Sequence, residues 1–455
     1  MKESKKVREQ SAQNGFQDFK VMKFGGTSVG TPEKMQQVAQ LVLSQKQPVI
    51  VVLSALSGTT NALSSISALL AEHKKTEAKE TIVELEVRYR QFISGLLQTE
   101  AARQKAESVL EEHFEFLNII LKISYSASLS KDILAQGELL STRLFSILLD
   151  ELTAAHRLLP ALEFMSVDEQ GEPRTGQIKV LLSQLLDKHS DKCIFVTQGY
   201  ICRNAKGEID NLNRGGSDYT ASLIAGAIGA AVCEIWTDIN GMHNNDPRIV
   251  ENTRPVEQLS FNEAAELAYF GAKILHPSCI WPAQLFRVPV RLLNTMEPEA
   301  KGTIIEEKAD HSGLRAIAAK DGIIAIKIRS SRMLLAYGFL KKVFEVFEKY
   351  KTPIDMVTTS EVAISVTIDS DLQLSSILQE LEPFCTVSVD YDQTIVALVG
   401  NEIAATAEIL QRIFTALNDI PVRMVSYGGS KDNISLLIPS DQKAKTLQLL
   451  NKALF

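Results

Sequence analysis

The sequence has 455 residues, of which 45% are hydrophobic, 23% charged and 6% aromatic, and its formal net charge is −7. A chain of this length predicts two or three domains. The acidic balance argues against nucleic acid as the main partner, because phosphate contacts need clustered Lys and Arg. The five cysteines are scattered without a CxxC pair, which excludes a disulfide framework and a zinc site of that type.

The N-terminal residues 1–18 are polar and mixed in charge. They contain no apolar segment of the kind that a signal peptide needs, so we expect a disordered tail. No apolar run in the chain reaches the roughly 18 residues that a bilayer span requires. We therefore expect a soluble, cytoplasmic protein.

Residues 19–305 alternate short β-branched runs with helical stretches. The clearest predicted strands are 48–55, 192–201, 231–239 and 288–295. This alternation predicts an α/β fold with a mainly parallel sheet buried between helices, and catalytic groups are then expected at the carboxyl ends of strands. Residues 61–129 are predicted to be helical, and we interpret their charged residues as solvent-exposed faces (Glu84, Glu86, Arg88 and Arg90).

A charged, turn-like segment at 306–313 is the predicted linker to a second region, 314–455. In that region TPIDMVTTSEVAISVTI aligns with IPVRMVSYGGSKDNISLLI, which indicates an internal repeat. Each copy is predicted as a small α+β module of the βαββ type, at about 320–385 and 390–455, and a first strand near 314–319 could be shared with the second module. Neither copy has an acid–base cluster, so binding or regulation is expected.

The segment VMKFGGTSVG, residues 21–30, places Lys23 at the end of a predicted strand, followed by Gly25, Gly26 and Ser28. Free backbone N–H groups, a cation and a following helix N-terminus would form an anion site. The lysine precedes the glycines, unlike the P-loop order GxxxxGK[ST]. A simple turn is the alternative interpretation.

The segment NRGGSDYTAS, residues 213–222, repeats this pattern with Arg214, two glycines, Ser217 and Asp218. Arginine is a preferred clamp for a carboxylate, whereas Ser217 or Asp218 could instead be a simple helix N-cap. Two Gly-Gly loops with basic residues suit a site that holds two anions.

Two further segments suggest a polar ligand. WTDINGMHNNDPR, at 236–248, crowds Thr237, Asp238, Asp246 and Arg248 into one loop, and its spacing does not match an EF-hand. In FGAKILHP, at 270–277, Lys273 is either a phosphate-binding residue or a surface lysine whose stem lies on apolar neighbours.

Glu138 lies among apolar and small residues in AQGELLSTRL, residues 135–144. An unpaired carboxylate in such surroundings would be costly, so Glu138 needs a cationic partner. A substrate amino group would serve, and a salt bridge with Arg143 is the alternative.

Six motifs in this order resemble the signature set of the aspartokinases: KFGGTSVG, SALSGTTN, GELLST, NRGGSDYT, WTDxxGxxxxDPR and FGAKILHP. The resemblance covers nearly the whole chain, and Asn213 departs from the usual glycine. It implies an amino-acid-kinase fold followed by two ACT modules. The implied reaction is phosphorylation of the side-chain carboxylate of L-aspartate by ATP with Mg²⁺, giving 4-phospho-L-aspartate and ADP. This is the first step of the aspartate pathway to lysine, threonine and methionine.

The resemblance also implies residue roles. Lys23 would stabilise charge on the transferring phosphoryl group, with Asp218 orienting it. The implied aspartate-binding residues are Thr60, Glu138, Arg214 and Ser217. The implied ATP- and phosphate-binding residues are Gly25, Gly26, Ser28, Thr237, Asp238, His243, Asp246, Arg248, Lys273 and Ile274, with Mg²⁺ bound through the ATP phosphates. Relatives often carry tyrosine at the position of His243.

The C-terminal region resembles that of the lysine-sensitive, single-activity aspartokinases. The residues implied for effector binding are Met333, Gly338, Phe339, Leu340, Asp355, Ser360 and Glu361. Physically, Asp355 and Glu361 offer carboxylates for amines, and the turn before the helix that follows offers N–H groups for a carboxylate. We expect inhibition by L-lysine and a homodimer or dimer of dimers through the ACT modules. No fused homoserine dehydrogenase is expected after Phe455.

Two alternatives remain. The same fold could phosphorylate another acid, such as glutamate or N-acetylglutamate, although the repeated C-terminal modules and the pair of Glu138 and Arg214 argue against it. An inactive amino-acid sensor would be expected to have lost Lys23, Asp218 or Lys273, and all three are present.

Overall fold

The computed structural model describes residues 16–212, 215–271, 277–308, 312–329 and 337–455. These fall into two compact units, the first made of residues 1–242 with 274–307 and the second of residues 243–273 with 308–455. The third crossing between the units, at 307/308, falls within the segment 306–313 that the sequence predicts as the linker. The sequence does not predict that residues 243–273 join the C-terminal unit, and the exact domain bounds remain a prediction.

In chain order the elements are β1 (Lys20–Phe24), α1 (Pro32–Leu43), β2 (Val49–Leu53), α2 (Thr59–Ala71), α3 (Lys75–Leu96), α4 (Glu100–Ile120), α5 (Ala127–Glu151), β3 (His156–Leu158), α6 (Thr175–Lys188), β4 (Ile194–Gln198), β5 (Ile201–Arg203), β6 (Ile209–Asn211), α7 (Gly216–Ile228), β7 (Val232–Thr237), β8 (Gln258–Ser260), α8 (Phe261–Tyr269), α9 (Pro277–Phe286), β9 (Val290–Asn294), β10 (Thr303–Glu306), β11 (Gly313–Arg329), α10 (Phe339–Lys349), β12 (Val357–Thr359), β13 (Ala363–Ile368), α11 (Leu374–Leu381), β14 (Thr386–Asn401), α12 (Ala407–Ala416), β15 (Met424–Ser426), β16 (Asn433–Pro439) and α13 (Lys443–Leu454).

The first unit contains a mainly parallel sheet in the order β3-β4-β2-β1-β7-β9-β10, in which only β10 runs antiparallel to its neighbour. The α/β fold with a mainly parallel sheet is therefore confirmed. Every residue of β2 is buried, as expected for a strand covered on both faces. The four strands that the sequence predicts most clearly are found as β2, β4, β7 and β9, each shorter than predicted.

The stretch predicted to be helical, 61–129, forms α2, α3, α4 and the start of α5. Its apolar faces join β1 and β2 in one core, in which Tyr89 packs edge-on against Phe114 with 6.2 Å between ring centroids. Arg90 lies on the exposed face and pairs with Glu86 and Glu107. Arg88 is also exposed, but it donates a hydrogen bond to the Ser57 carbonyl oxygen, a specific contact that the solvated-face interpretation missed.

The second unit contains an antiparallel six-stranded sheet in the order β12-β13-β11-β14-β16-β15. The long strands β11 and β14 run side by side through its centre, so the two repeated modules form one sheet. The start of β11 pairs with the end of β14, from Leu314 with Gly400 to Lys320 with Ile395. Helices α10 and α11 cover one module, and α12 and α13 cover the other. The α+β repeat is confirmed, with α11 and α13 as additional helices.

No helix in the described part of the chain combines the length and the apolar character that crossing a membrane would require.

Candidate active site

The end of β1 places a cation against a carboxylate. Lys23 Nζ lies 2.5 Å from Asp218 Oδ1, and the two side chains are only 11% and 18% exposed. Lys23 comes from β1 and Asp218 from the first turn of α7, so the tertiary structure brings together two residues that the sequence separates widely. The contact is an ion pair in partly dry surroundings, where electrostatic interactions are stronger than in water.

The loop after β1 stays close to both Lys23 and the neighbouring loop. A Cβ atom at Gly25 would lie 3.2 Å from Lys23 Nζ, and one at Gly26 would lie 3.0 Å from the Ala55 carbonyl oxygen. Side chains here would therefore crowd the ammonium group and the strand end of β2. The position favours glycine for close approach, as a backbone anion site requires.

Ser28 is 2% exposed, and its hydroxyl lies 2.8 Å from Thr295 Oγ1. Its backbone N–H donates to the Gly25 carbonyl oxygen at 2.9 Å. Both polar groups are used inside the protein, so in this structure Ser28 shapes the loop. A contact with phosphate remains a prediction.

The second Gly-Gly loop leads directly into α7. Gly215 has φ of 74° and Gly216 has φ of 51°, conformations that favour glycine. Ser217 and Asp218 lie inside the first helical turn, and the N-cap position is Gly215. The interpretation of Ser217 or Asp218 as a simple N-cap is therefore wrong. Ser217 accepts a hydrogen bond from Ser54 at 2.8 Å. Arg214 lies outside the described residues.

Glu138 is a buried carboxylate that has no cation among the described residues. The residue is 3% exposed, its Oε1 accepts from the Ala55 N–H at 3.3 Å, and its Oε2 is buried without a hydrogen-bond partner among the described residues. Burial raises the pKa of Glu138 to about 8, against which the Ala55 hydrogen bond acts only partly. Arg143 pairs with Glu112 at 2.8 Å, so the alternative of a Glu138–Arg143 salt bridge is wrong.

Thr60 lies in the first turn of α2 and is exposed. Its neighbour Thr59 is buried and packs close to Gly137 of α5. A Cβ atom added at Gly137 would lie only 3.3 Å from Thr59 Cγ2. The start of α2 is thereby placed beside the segment of α5 that carries Glu138. The structure gives Thr60 and Glu138 a common neighbourhood, and their contacts with a substrate remain predictions.

Thr237 is the last residue of β7 and Asp238 follows it, next to the end of β1 in the sheet. Asp238 is exposed and accepts a hydrogen bond from the Thr237 hydroxyl at 3.1 Å. Two polar side chains at this carboxyl edge fit the position expected for ligand-binding residues.

The remaining predicted ATP residues that the structure describes belong to the second unit. Asp246 accepts two hydrogen bonds from the guanidinium group of Arg248, at 2.9 and 2.7 Å, and that group holds the pKa of Asp246 below its ordinary value. His243 Nδ1 lies 2.9 Å from Thr253 Oγ1, and burial lowers the pKa of His243. Lys273 and Ile274 lie outside the described residues. The nucleotide roles of all five remain predictions.

Among the predicted effector residues, Gly338 has φ of 84° and precedes the first turn of α10. Phe339 is a core residue that packs edge-on against Phe384 at 6.1 Å, so only its backbone could meet a ligand. Leu340 is 42% exposed. Ser360 and Glu361 form the exposed turn between β12 and β13. Met333 lies outside the described residues.

Asp355 already has partners in this structure. Its side chain is 2% exposed, and its Oδ1 accepts from Lys320 Nζ at 2.9 Å and from the Tyr269 hydroxyl at 2.6 Å. Lys320 Nζ also lies 2.9 Å from Asp369 Oδ2 and 4.7 Å from the centroid of the Tyr269 ring. Two carboxylates and an aromatic face thus surround an internal ammonium group, which the sequence did not indicate.

Comparison with known proteins agrees with this arrangement. The amino acid kinase family matches residues 18–294, and an ACT domain matches residues 396–454. Lysine-sensitive aspartokinase 3 of Escherichia coli (strain K12) is 32% identical over 447 residues, which cover 96% of this chain and 99% of that protein. Aspartokinase 3, chloroplastic, of Arabidopsis thaliana is 36% identical over 465 residues, 96% of this chain and 81% of that protein.

Solved structures are similar over the same extent. E. coli aspartokinase III in complex with aspartate and ADP has a TM-score of 0.83 at 32% identity and covers 96% of this chain and 100% of its own. The same E. coli enzyme in complex with lysine and aspartate has a TM-score of 0.78 at 31% identity, with coverage of 96% and 99%. The chain described here therefore belongs to the amino acid kinase family and, within it, to the aspartokinases.

Proposed function

We propose that this aspartokinase transfers the γ-phosphoryl group of Mg-ATP to the side-chain carboxylate of L-aspartate, giving 4-phospho-L-aspartate and ADP. The observation that carries the proposal is the Lys23–Asp218 pair at the carboxyl edge of the sheet. The same unit contains the Glu138 carboxylate, which has no cation among the described residues. The pair supplies a cation for phosphoryl charge, and Glu138 supplies an anion for an amino group.

Phosphoryl transfer depends on positioning and on charge neutralisation more than on covalent help from the protein. The attacking carboxylate is ionised at neutral pH, so no general base is required. Lys23, held at 2.5 Å from Asp218, would carry positive charge to the oxygens of the transferring group, and Asp218 would fix the direction of the ammonium. Gly25 and Gly26 would let the backbone approach the phosphates.

The amino acid would be held by Thr60, Glu138, Ser217 and Arg214. The ammonium of the substrate would give Glu138 a counter-ion, which the described residues do not supply, and the guanidinium of Arg214 would clamp a carboxylate. The buried Oε2 of Glu138, which has no hydrogen-bond partner in the described part of the chain, supports this assignment.

The nucleotide would be held by Thr237, Asp238, His243, Asp246, Arg248, Lys273 and Ile274. Among the described residues there is no cluster of three or more His, Cys, Asp or Glu side chains that could hold a metal ion. We expect the Mg²⁺ ion to be bound mainly through the nucleotide phosphates, as is usual for Mg²⁺. When bound, the ion neutralises phosphate charge.

We further propose that L-lysine inhibits the enzyme through the second unit and that the reaction begins the aspartate pathway. One similar protein is named lysine-sensitive, and one similar structure contains lysine. In this chain the turn at Gly338 opens a helix N-terminus that suits a carboxylate. Asp355 suits an amine, but a ligand at Asp355 would have to share it with Lys320 and Tyr269 or displace them. Pairing of the ACT modules into a homodimer or dimer of dimers belongs to the same proposal.

The test is release of ADP from Mg-ATP by the full chain, with L-aspartate, L-glutamate or N-acetyl-L-glutamate as the acceptor, with and without millimolar L-lysine. Turnover that requires aspartate and is suppressed by lysine is expected. Turnover with only glutamate or N-acetylglutamate would contradict the proposal that L-aspartate is the substrate. Inhibition by threonine alone would contradict the lysine assignment while leaving the kinase intact.

A further inference from the structure

The segment from Ala55 to Thr60 connects the end of β2 with the start of α2 and lies beside the proposed amino-acid site. Its Ala55 N–H is the one group that donates to Glu138 among the described residues, and its last residue, Thr60, is a proposed substrate contact. The conformation of this segment therefore determines the positions of the Thr60 hydroxyl and of the proposed ammonium site at Glu138. We define residues 55–60 as the substrate loop.

Helix α3, which carries none of the six motifs, contacts the substrate loop through two side chains. Tyr89 Oη lies 3.0 Å from Thr59 Oγ1, and both side chains are 1% exposed. The adjacent Arg88 donates to the carbonyl oxygen of Ser57, and a Cβ at Gly58 would lie 3.0 Å from the Arg88 guanidinium. Two consecutive residues of α3 thus contact three consecutive residues of the loop.

The pKa of the Tyr89 hydroxyl is affected by Glu138, which is part of the proposed amino-acid site. Burial raises the pKa of Tyr89, and after opposing effects from Thr59 and Arg88 the negative charge of Glu138 raises it further. The hydroxyl is therefore neutral during turnover and able to serve as a fixed hydrogen-bond partner of Thr59. Losing it would leave the Thr59 hydroxyl buried without this partner, which is costlier than losing an exposed contact.

We propose that Tyr89 is a positioning residue for the amino-acid substrate, acting through its hydrogen bond to Thr59 to fix the substrate loop against Glu138. The inference rests on the proposed function, because it takes Thr60 and Glu138 to be substrate contacts. Tyr89 does not touch the substrate. It sets the affinity for the acidic amino acid and leaves the phosphoryl-transfer groups, Lys23 and Asp218, in place.

The experiment is steady-state kinetics of the full chain with Tyr89→Phe, which removes the hydroxyl and keeps the ring packed on Phe114. The KM for aspartate is expected to rise about fivefold, because one buried neutral hydrogen bond contributes on the order of 1 kcal/mol. The kcat and the KM for ATP are expected to stay within about twofold.

A matched control removes a tyrosine hydrogen bond to a different residue of α2, Ser67. Tyr125 Oη bonds the hydroxyl of Ser67 at 2.8 Å, two turns beyond Thr60, so Tyr125→Phe removes a similar tyrosine contact away from the loop. Tyr125→Phe is expected to leave the KM for aspartate unchanged. The partner side is tested by Thr59→Ser, which keeps the hydroxyl and should keep the wild-type KM, and by Thr59→Val, which should match Tyr89→Phe.

Tyr89→Phe combined with Thr59→Val should raise KM no more than either change alone, because both remove the same bond. An unchanged KM in Tyr89→Phe, an equal rise in Tyr125→Phe, or equal rises in Thr59→Ser and Thr59→Val would each overturn the inference while the wild type still phosphorylates aspartate. A wild type without aspartate-dependent turnover would contradict the proposed function and this inference with it.

Discussion

Two buried carboxyl groups, Glu138 in the first unit and Asp355 in the second, have opposite surroundings. Glu138 has a single hydrogen bond from a backbone N–H and no cation among the described residues. Asp355 is held by the Lys320 ammonium and the Tyr269 hydroxyl. An uncompensated carboxylate gains a counter-ion when an amine binds, whereas a compensated one must exchange an existing partner. The first arrangement suits a substrate site, whereas at the second an incoming amine has to compete with Lys320.

Lys23→Ala gives the largest expected effect, because it removes the only cation that the described residues place against Asp218. We expect kcat to fall by about 10²–10³-fold, as when a group that stabilises transition-state charge is removed. The measurement is aspartate-dependent ADP release. Lys20→Met is the matched control, since Lys20 lies on the same strand and pairs with Glu234 at 2.9 Å. A similar loss of kcat in both variants would show that Lys23 acts only on the fold.

Glu138→Gln sharpens the comparison by removing the buried charge at constant shape. We expect the KM for aspartate to rise about 100-fold, because the substrate ammonium loses its counter-ion. Stability should not fall with it, since an uncompensated buried carboxylate is costly. The measurements are KM and chemical denaturation of the ligand-free chain. A variant with wild-type KM would contradict the assignment of Glu138 to the ammonium.

The raised pKa of Glu138 also predicts how stability depends on pH. The folded-state pKa of about 8 exceeds the ordinary value of 4.5 for a glutamate side chain, so the folded chain binds the proton more tightly than the unfolded chain. This contribution is fully present below about pH 4.5 and is lost as pH rises towards 8. Relative to Glu138→Gln, the free energy of unfolding of the wild type should fall by a few kcal/mol across that window. A constant difference between the two chains, measured by urea denaturation, would contradict it.

The same ionisation predicts the pH dependence of substrate binding. Only ionised Glu138 attracts the substrate ammonium, so kcat/KM for aspartate should increase with pH up to about 8. The expected rise is about tenfold per pH unit well below that value. In Glu138→Gln this rise should disappear. Its persistence in the variant would assign the titration to another group.

Lys320→Met has the smallest expected effect and tests the compensated carboxylate. Without the internal ammonium, Asp355 and Asp369 would be open to the amine of a lysine effector, so we expect the inhibition constant for L-lysine to fall by roughly tenfold, within the usual range of coupling free energies. Lys443→Met is the matched control, because Lys443 pairs with Asp321 in the same unit at 2.5 Å. Weaker inhibition in Lys320→Met alone would mean that Lys320 supports the effector site instead of competing for it.

The predicted elements that proved correct are those with local signals. The mainly parallel sheet follows from short apolar runs such as β2 and β4, and the helical character of residues 61–129 follows from their periodicity. Gly215 and Gly216 mark the start of α7 because the left-handed backbone favours glycine. The strand ends were less accurate, because the edges of β7 and β9 depend on their pairing with each other.

The predictions that proved wrong concern which side chains form ion pairs or hydrogen bonds with each other. Arg143 is five residues from Glu138 and on the same helix, yet it turns to Glu112. Arg88 looked like part of a solvated face, and it caps the Ser57 carbonyl group. Asp355 looked like an open carboxylate, and it is bound by Lys320 and Tyr269. In each case the sequence contains the charged residues, but their separation along the chain does not determine which of them meet.

The sequence by itself determined the element types, the repeated C-terminal modules and the ordered motifs, because hydrophobic periodicity and glycine conformation act over a few residues. Only the tertiary structure decided that Lys23 meets Asp218, that Glu138 stays without a cation among the described residues and that Asp355 is already paired. The physical reason is that an ion pair or a buried hydrogen bond depends on distances of a few ångströms between elements. Those distances are set by how the strands and helices pack.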